Sequence, residues 1–193
     1  MANMKQLWVL AGGNGAGKST FFNQYLSKRG IQFVNSDLIA RELNPDNPEQ
    51  ASYEAATLAS DMREDLIKEG VSFCFEAVFS HKSKIDFLAM AKAFGYTVIL
   101  VYIHLFDSSL NEARVHQRVS EGGHNVPAEK IRSHIPRAMK NVKTALPLAD
   151  EVWFLDNSSE KDRFKLVVRI KSGRYEKKAD PLPEWAADLL PAQ

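Results

Sequence analysis

The sequence predicts an α/β fold in three layers, with helices on both faces of a mainly parallel sheet of five to six strands. Short apolar runs alternate with helical stretches along the chain, which favours parallel pairing of the strands. The run 98–103 is continuously apolar, as is typical of a strand buried on both faces. A length of 193 residues, of which 45% are hydrophobic, is sufficient for one buried core. We therefore expect a single domain over residues 1–193.

The apolar runs, together with glycine and proline, set the expected boundaries of the elements. The predicted strands are 7–11, 31–34, 71–79, 96–105 and 151–155. The predicted helices are 19–28, 48–69 and 82–94, the last two of which end directly before a glycine.

The C-terminal part of the chain has a different pattern. Residues 163–171 alternate apolar and charged side chains, which predicts an edge strand with one solvent-facing side. A tail of about residues 174–193 follows, and Pro181 and Pro183 interrupt it. Its apolar residues Trp185, Leu189 and Leu190 are compatible with a short helix docked on the rest of the protein.

The charge balance argues against a nucleic-acid or membrane-surface protein. Lys plus Arg number 25 and Asp plus Glu number 24, so no overall positive field attracts a polyanion. No apolar run approaches the roughly 18 residues of a membrane span, and the N-terminal residues lack a signal-peptide pattern. The single cysteine, Cys74, is predicted to lie buried in a strand, without a disulfide. We expect a cytoplasmic protein.

A complete phosphate-binding motif lies between the first predicted strand and the following helix. The stretch GGNGAGKST fits G-x-x-x-x-G-K-[ST] through Gly12, Gly17, Lys18 and Ser19. Glycines let backbone N–H groups approach phosphate oxygens, the lysine neutralises the β- and γ-phosphates, and the serine hydroxyl is a ligand for Mg²⁺. The motif predicts a P-loop NTPase fold that binds ATP and Mg²⁺. The expected cofactor-binding residues are Gly13, Asn14, Gly15, Ala16, Gly17, Lys18, Ser19 and Thr20.

Two carboxylates follow predicted strands, at the edge where α/β sheets bind ligands. Asp37 is suited to accept the proton of a hydroxyl group that is being phosphorylated. Its alternative role is the N-cap of a helix over 38–42. Glu76 interrupts an apolar run and therefore needs a partner, which is a structural Arg or Lys, a substrate hydroxyl or hydrated Mg²⁺.

A basic segment at about residues 107–145 is predicted to form a lid. Arg114 and Arg118 are four residues apart, so both lie on one helical face, where they can contact the transferred phosphate. The alternative for this segment is a solvated basic surface. His124, in a Gly-Gly turn at 121–127, is expected either to contact phosphate or to cap the turn.

The order of these motifs resembles the zeta toxin family of P-loop kinases. The stretches are GGNGAGKST, NSD, FEAVFS, ARVHQRVSEGGHNVP and EVWFLDNS, and together they span about residues 7–158. The resemblance implies transfer of the ATP γ-phosphate to a hydroxyl of UDP-N-acetylglucosamine, the sheet order 2-3-1-4-5, and an antitoxin protein as a partner.

The same resemblance implies roles for individual residues. Lys18 and Ser19 match the nucleotide and magnesium residues, Asp37 the catalytic base, and Glu76 an acceptor-binding residue, with Ser80 at the end of the same stretch as a further one. Arg118, or Arg114, matches the first lid arginine. The second falls at His124, in a turn typical of a divergent GGH-type branch, so either His124 or Arg132 is expected to supply that charge.

Three other functions fit parts of the sequence. One is a kinase of another small hydroxyl compound, similar to chloramphenicol phosphotransferase, and a second is a non-catalytic nucleotide-binding regulatory module. The third, a polynucleotide 5′-hydroxyl kinase, is disfavoured by the near-zero net charge of +1.

Overall fold

The computed structural model describes residues 4–120 and 126–191. Its strands are β1 Gln6–Ala11, β2 Gln32–Val34, β3 Phe73–Ala77, β4 Thr97–His104, β5 Glu151–Asp156, β6 Lys165–Lys171 and β7 Arg174–Lys177. Its α-helices are α1 Lys18–Phe21, α2 Ser36–Leu43, α3 Ser52–Glu69, α4 Ser83–Ala93, α5 Ser108–Ser120, α6 Ala128–Ala145 and α7 Glu184–Leu189.

The strands form one sheet in the order β2-β3-β1-β4-β5-β6-β7. The first five strands in this order are parallel, and β6 and β7 continue the sheet in antiparallel fashion. The predicted fold class and the order 2-3-1-4-5 are confirmed. The prediction that 163–171 is the edge was wrong, because the hairpin partner β7, within the predicted tail, covers β6. Strand β7 brings the sheet to seven strands.

Apolar cores lie on both faces of the sheet, as a three-layer fold requires. Alternate residues of β1 point to opposite sides, so that Leu7 and Val9 belong to one cluster and Trp8 and Leu10 to the other. The first cluster is covered by α3, α4, α6 and α7. The second is covered by α1 and by the π-helical turn Phe22–Leu26 that continues it. Trp185 of α7 is 8% exposed, which confirms a docked C-terminal helix.

Several element ends differ from the predicted ones for local reasons. α3 begins at Ser52 because residues 48–51 form a turn, in which the N–H of Ser52 bonds to the carbonyl of Glu49 at 3.2 Å. β3 ends at Ala77, and Phe79 has the left-handed φ of +66° that no strand residue adopts. The carbonyl of Phe79 accepts a hydrogen bond of 2.9 Å from Asn141 of α6.

Two expectations about single features can be compared with the structure. Cys74 lies buried in β3 as a free thiol, as predicted. Over the described ranges, 4–120 and 126–191, none of the helices has the length and apolar character needed to cross a membrane.

Candidate active site

The loop between β1 and α1 needs glycine at both ends of the motif. Gly12 has φ +151° and Gly17 has φ +98°, conformations that residues with a Cβ atom rarely adopt. A Cβ atom on Gly12 would lie 2.4 Å from the carbonyl oxygen of Ile103, and one on Gly17 would lie 2.6 Å from Nδ2 of Asn157. Packing and backbone conformation therefore both require these two glycines.

Lys18 is the first residue of α1, and its side chain folds back into the loop and is only 8% exposed. Its Nζ donates hydrogen bonds of 3.0 Å to the carbonyl oxygens of Gly12 and Gly13. Burial lowers the pKa of Lys18, and the nearby carboxylates of Glu76 and Asp37 partly oppose that shift. The loop thus holds the ammonium group among its own backbone carbonyls.

Two buried asparagines from distant parts of the chain fix the outside of the loop. Nδ2 of Asn111, on α5, donates a 2.6 Å hydrogen bond to the carbonyl of Asn14. Nδ2 of Asn157, just after β5, donates a 2.9 Å bond to the carbonyl of Ala16. Both asparagines are at most 4% exposed. The loop conformation is therefore set by α5 and the β5 end as well as by its own glycines.

The residues predicted for metal binding and acceptor binding are in direct contact. Oγ of Ser19 donates a 2.7 Å hydrogen bond to Oε2 of Glu76, so the partner that Glu76 needs is a serine hydroxyl of the protein, which was not among the expected partners. Oxygen groups of this kind are the ligands that Mg²⁺ prefers. The described residues contain no group of three or more His, Cys, Asp or Glu that could hold a metal ion. A Mg²⁺ ion here would therefore rely on Ser19, Glu76 and the oxygens of a bound nucleotide.

Asp37 is available for chemistry because a neighbour caps α2. Oδ1 of Asn35 accepts hydrogen bonds from the N–H groups of Asp37 and Leu38, at 2.8 and 3.3 Å. The alternative of Asp37 as the N-cap is therefore wrong. Its carboxylate oxygen Oδ2 lies 3.9 Å from Nη1 of Arg118, and about half of the side chain is exposed.

Arg114 and Arg118 of α5 line the same cleft, as their spacing predicted. Nη2 of Arg114 donates a 3.0 Å hydrogen bond to the carbonyl of Asn157. Burial lowers the pKa of Arg114, and the positive charge of Arg163 adds to the effect. Arg132 forms a salt bridge with Glu112 of α5 at 2.6 Å and does not line the cleft. His124 lies outside the described residues.

A cavity of about 490 Å³ brings most of the predicted site together. It is lined by the predicted residues Asn14, Gly15, Gly17, Lys18, Ser19, Thr20, Asp37, Glu76, Arg114 and Arg118. Gly13 and Ala16 do not line it but shape the loop through their carbonyl groups. Ser80 is half-buried after β3, and the structure does not bring it into the cavity.

The family of the chain follows from its sequence. Residues 7–140 match the model of the AAA domain family, AAA_33, which is more than half of the chain. The chain belongs to this family. An uncharacterized protein of Haemophilus influenzae is 36% identical over 138 residues, which cover 66% of this chain and 96% of that protein.

Solved structures share the fold of this AAA domain chain. AvrRxo1-ORF1:-ORF2 with ATP has a TM-score of 0.73 at 19% identity, over 92% of this chain and 61% of that chain. A chain of the PezAT chromosomal toxin-antitoxin system of Streptococcus pneumoniae has a TM-score of 0.66 at 15% identity, over 98% of this chain and 78% of that chain. These likenesses concern the fold, which is P-loop kinase-like. The chain spans less than two thirds of the AvrRxo1 chain it matches.

Some residues that shape or line the cleft of this AAA domain were not predicted. Asn111 and Asn157 were not identified as loop partners, and Arg163 was assigned to a strand, although it lies before β6 and lines the cavity. Arg163 and Glu160 both lie in the connection after β5, and both line the cavity. The available signal was position, because Asn157 and Arg163 follow the carboxyl end of a parallel strand.

Proposed function

We propose that the protein is an ATP-dependent phosphotransferase of the zeta toxin type, which transfers the γ-phosphate to a hydroxyl of a small acceptor. The observation that carries this proposal is the position of Asp37. Its N-cap role is taken by Asn35, and it lines one cavity with Lys18 and Ser19 of the phosphate loop. A carboxylate in this position is suited to accept the proton of a hydroxyl group that is being phosphorylated.

In the proposed reaction, the acceptor hydroxyl loses its proton to Asp37 and its oxygen forms a bond to the γ-phosphorus. The bond from that phosphorus to the oxygen bridging the β- and γ-phosphates breaks, and ADP leaves. Lys18, Arg114 and Arg118 would neutralise the negative charge on the phosphoryl oxygens. Mg²⁺, held near Ser19 and Glu76, would supply further charge neutralisation when bound. We also propose that residues 107–145 act as the lid.

A nucleotide sugar such as UDP-N-acetylglucosamine is the acceptor that we propose. The motif order supports it, as does the fold likeness to a chain named for a toxin-antitoxin system. An antitoxin protein is the corresponding partner, and a cytoplasmic location, where ATP is available, goes with this proposal. The sequence GGHNVP at residues 122–127 is the feature on which the branch assignment rests.

The test is mass spectrometry of UDP-N-acetylglucosamine after incubation with the protein, ATP and Mg²⁺. We expect a product heavier by one phosphate group. Asp37→Asn should abolish this product, a loss of about 10²–10⁴-fold in rate, and leave ATP binding unchanged. The matched control is Asp46→Asn, which changes an exposed carboxylate in the loop after α2. This variant should retain full transfer.

Two results would change the proposal. Full phosphotransfer by Asp37→Asn would show that another group is the base. If ATP binds but no compound in a panel of sugars, nucleotides and hydroxyl-bearing antibiotics gains a phosphate, the regulatory-module alternative would replace the kinase.

A further inference from the structure

The main cavity extends to both sides of the phosphate loop. The loop follows β1, which lies between β3 and β4 in the sheet. Asp37 lies after β2 and Glu76 near the end of β3, on one side of β1, whereas Asn157 and Arg163 follow β5 on the other side. In an in-line transfer, the attacking and leaving oxygens lie on opposite sides of the γ-phosphorus. With Asp37 as the base, the acceptor therefore lies on the β2 side and the nucleoside on the β5 side.

A second, smaller cavity adjoins the first at Asp37, on the β2 side. It has a volume of about 30 Å³ and is lined by Ser36, Asp37, Ala40, Arg41, Pro48 and Ser52. Ser36 and Asp37 line both cavities, so the proposed base lies where the two meet. The walls of the second cavity come from α2, from the connection that follows it and from the first residue of α3. An acceptor whose hydroxyl contacts Asp37 can therefore extend along α2 into this cavity.

Arg41 is the cationic residue in the lining of the second cavity. It lies four residues after Asp37 on α2, so the two side chains are on one face of the helix. Arg41 is exposed, and among residues 4–120 and 126–191 its guanidinium forms no ion pair. Ser52, which is also exposed, adds a hydroxyl group to the same cavity. The donors of both side chains are thus available to a ligand.

We propose that Arg41 and Ser52 form a subsite that binds a phosphate or carboxylate group of the acceptor. A guanidinium presents a planar pair of N–H donors that matches these oxyanions, and the serine hydroxyl can donate a further hydrogen bond. Cβ atoms of residues four apart on a helix are separated by about 5–6 Å. The anionic group of the acceptor would therefore lie about one helical turn from the hydroxyl at Asp37, a separation that two substituents of one sugar ring can span.

The subsite would determine which hydroxyl compounds are phosphorylated. An anionic group bound at Arg41 holds the reacting hydroxyl beside Asp37, and a neutral compound lacks that contact. The subsite therefore favours sugar phosphates and nucleotide sugars and disfavours neutral alcohols similar to chloramphenicol. This inference rests on the proposed function in one respect, namely that Asp37 marks the acceptor side of the cleft.

The test is isothermal titration calorimetry of the full chain with Mg²⁺ and a saturating non-hydrolysable ATP analogue, which occupies the nucleotide site. The anionic probes are N-acetylglucosamine 1-phosphate and UDP-N-acetylglucosamine, and the neutral probe is N-acetylglucosamine. Arg41→Met should lower the affinity for both anionic probes by about tenfold and leave the affinity for the neutral sugar unchanged. Arg41→Lys keeps the charge but loses the planar pair of donors, so its affinity for the anionic probes should be intermediate.

The control for these variants is Arg174→Met, which changes an exposed arginine of β7. It should bind all three probes as the unmodified protein does. Because Arg41 is exposed, Arg41→Met should also retain the Tm of the unmodified protein, and a lower affinity would then not result from unfolding.

The outcomes separate this subsite from the proposed function. Equal affinities of Arg41→Met and the unmodified protein for the anionic probes would overturn the subsite, as would an equal loss of affinity for the neutral sugar. Absence of binding of both anionic probes to the unmodified protein would also overturn it. Binding that depends on Arg41, without phosphorylation of any acceptor, would refute the proposed function and leave the subsite standing. Phosphorylation of a neutral acceptor at the same rate in Arg41→Met would do the reverse.

Discussion

Buried charged side chains have different surroundings on the two sides of β3. On the phosphate-loop side, Lys18 has carbonyl acceptors, Glu76 has the Ser19 hydroxyl, and two asparagines bond the loop from outside. On the opposite side, Arg63 is equally buried, and its guanidinium lies over the rings of Phe75 and Phe87. Lys18 and Glu76 thus have hydrogen-bond partners within the protein, whereas Nε of Arg63 has none among the described residues. Polar groups that are satisfied internally stabilise a fold, whereas a buried polar group without a partner lowers its stability.

The largest effect is expected on the satisfied side. Asn157→Ala removes the partners of the Ala16 carbonyl and the Phe164 N–H, and both groups are buried. Each lost partner costs about 1–3 kcal/mol, so we expect a loss of about 2–6 kcal/mol in the free energy of unfolding. Thermal unfolding should show a Tm lower by about 5–20 °C. Asn23→Ala changes an exposed asparagine and should leave Tm nearly unchanged.

A somewhat smaller effect is expected for ATP affinity. Lys18→Met removes the buried ammonium group that would contact the nucleotide phosphates. A charge-assisted hydrogen bond contributes about 1.5–3 kcal/mol, so ATP affinity should fall by roughly 10–100-fold in calorimetric titration. Lys28→Met changes an exposed lysine and should bind ATP normally. If Lys18→Met and the unmodified protein bind ATP equally well, the loop is not part of the nucleotide site.

The sign of the stability change should reverse on the other side of β3. Arg63→Met replaces a buried charge by an apolar side chain of similar length, so the free energy of unfolding should be unchanged or higher by up to about 2 kcal/mol. Arg169→Met is the contrasting variant, because Arg169 also lies over a ring, that of Trp153, but pairs with Glu151 at 2.6 Å. It should lose stability in the same denaturant titration. Clear destabilisation by Arg63→Met would mean that the arginine is structural.

The smallest effect is a dependence of stability on pH. The pKa of Lys84 is lowered from 10.5 to about 8 in the folded protein, so the unfolded chain binds more protons between these values. Below pH 8 the charged Lys84 lowers the free energy of unfolding by its full amount, and this decrease becomes smaller as the pH rises toward 10.5. Lys84→Met should therefore have a higher Tm than the unmodified protein at pH 7, and the difference should narrow between pH 8 and 10. If the difference in Tm between Lys84→Met and the unmodified protein does not vary with pH, the titration of Lys84 is not its cause.

The sequence predicted the parts of the site that are contiguous or that follow a strand. The phosphate loop is one stretch of nine residues, and Asp37 and Glu76 stand at the ends of strands whose apolar runs are distinct. The loop partners Asn111 and Asn157 are 97 and 141 residues from the carbonyls they bind, and no local pattern indicates such contacts. The position of Ser80 outside the cavity likewise depends on the backbone turn at Phe79.

Arg63 shows a different limit of sequence reasoning. A charged residue in an amphipathic helix is ordinarily assigned to the solvent-facing side. Arg63 instead continues the buried row of Ala55 and Ala59 at intervals of four residues. That spacing was the available signal, and it becomes informative only when the buried face of α3 is known.

Helix α6 contacts two other parts of the structure, namely α5 and the connection that follows β3. Near its start, Arg132 pairs with Glu112 of α5, the helix that carries Arg114 and Arg118. Toward its end, Asn141 bonds to Phe79, in the connection that leads from Glu76 to α4. A shift of this one helix changes both contacts together. The affinities for nucleotide and acceptor would then be thermodynamically linked, and each ligand would alter the affinity for the other by the same factor.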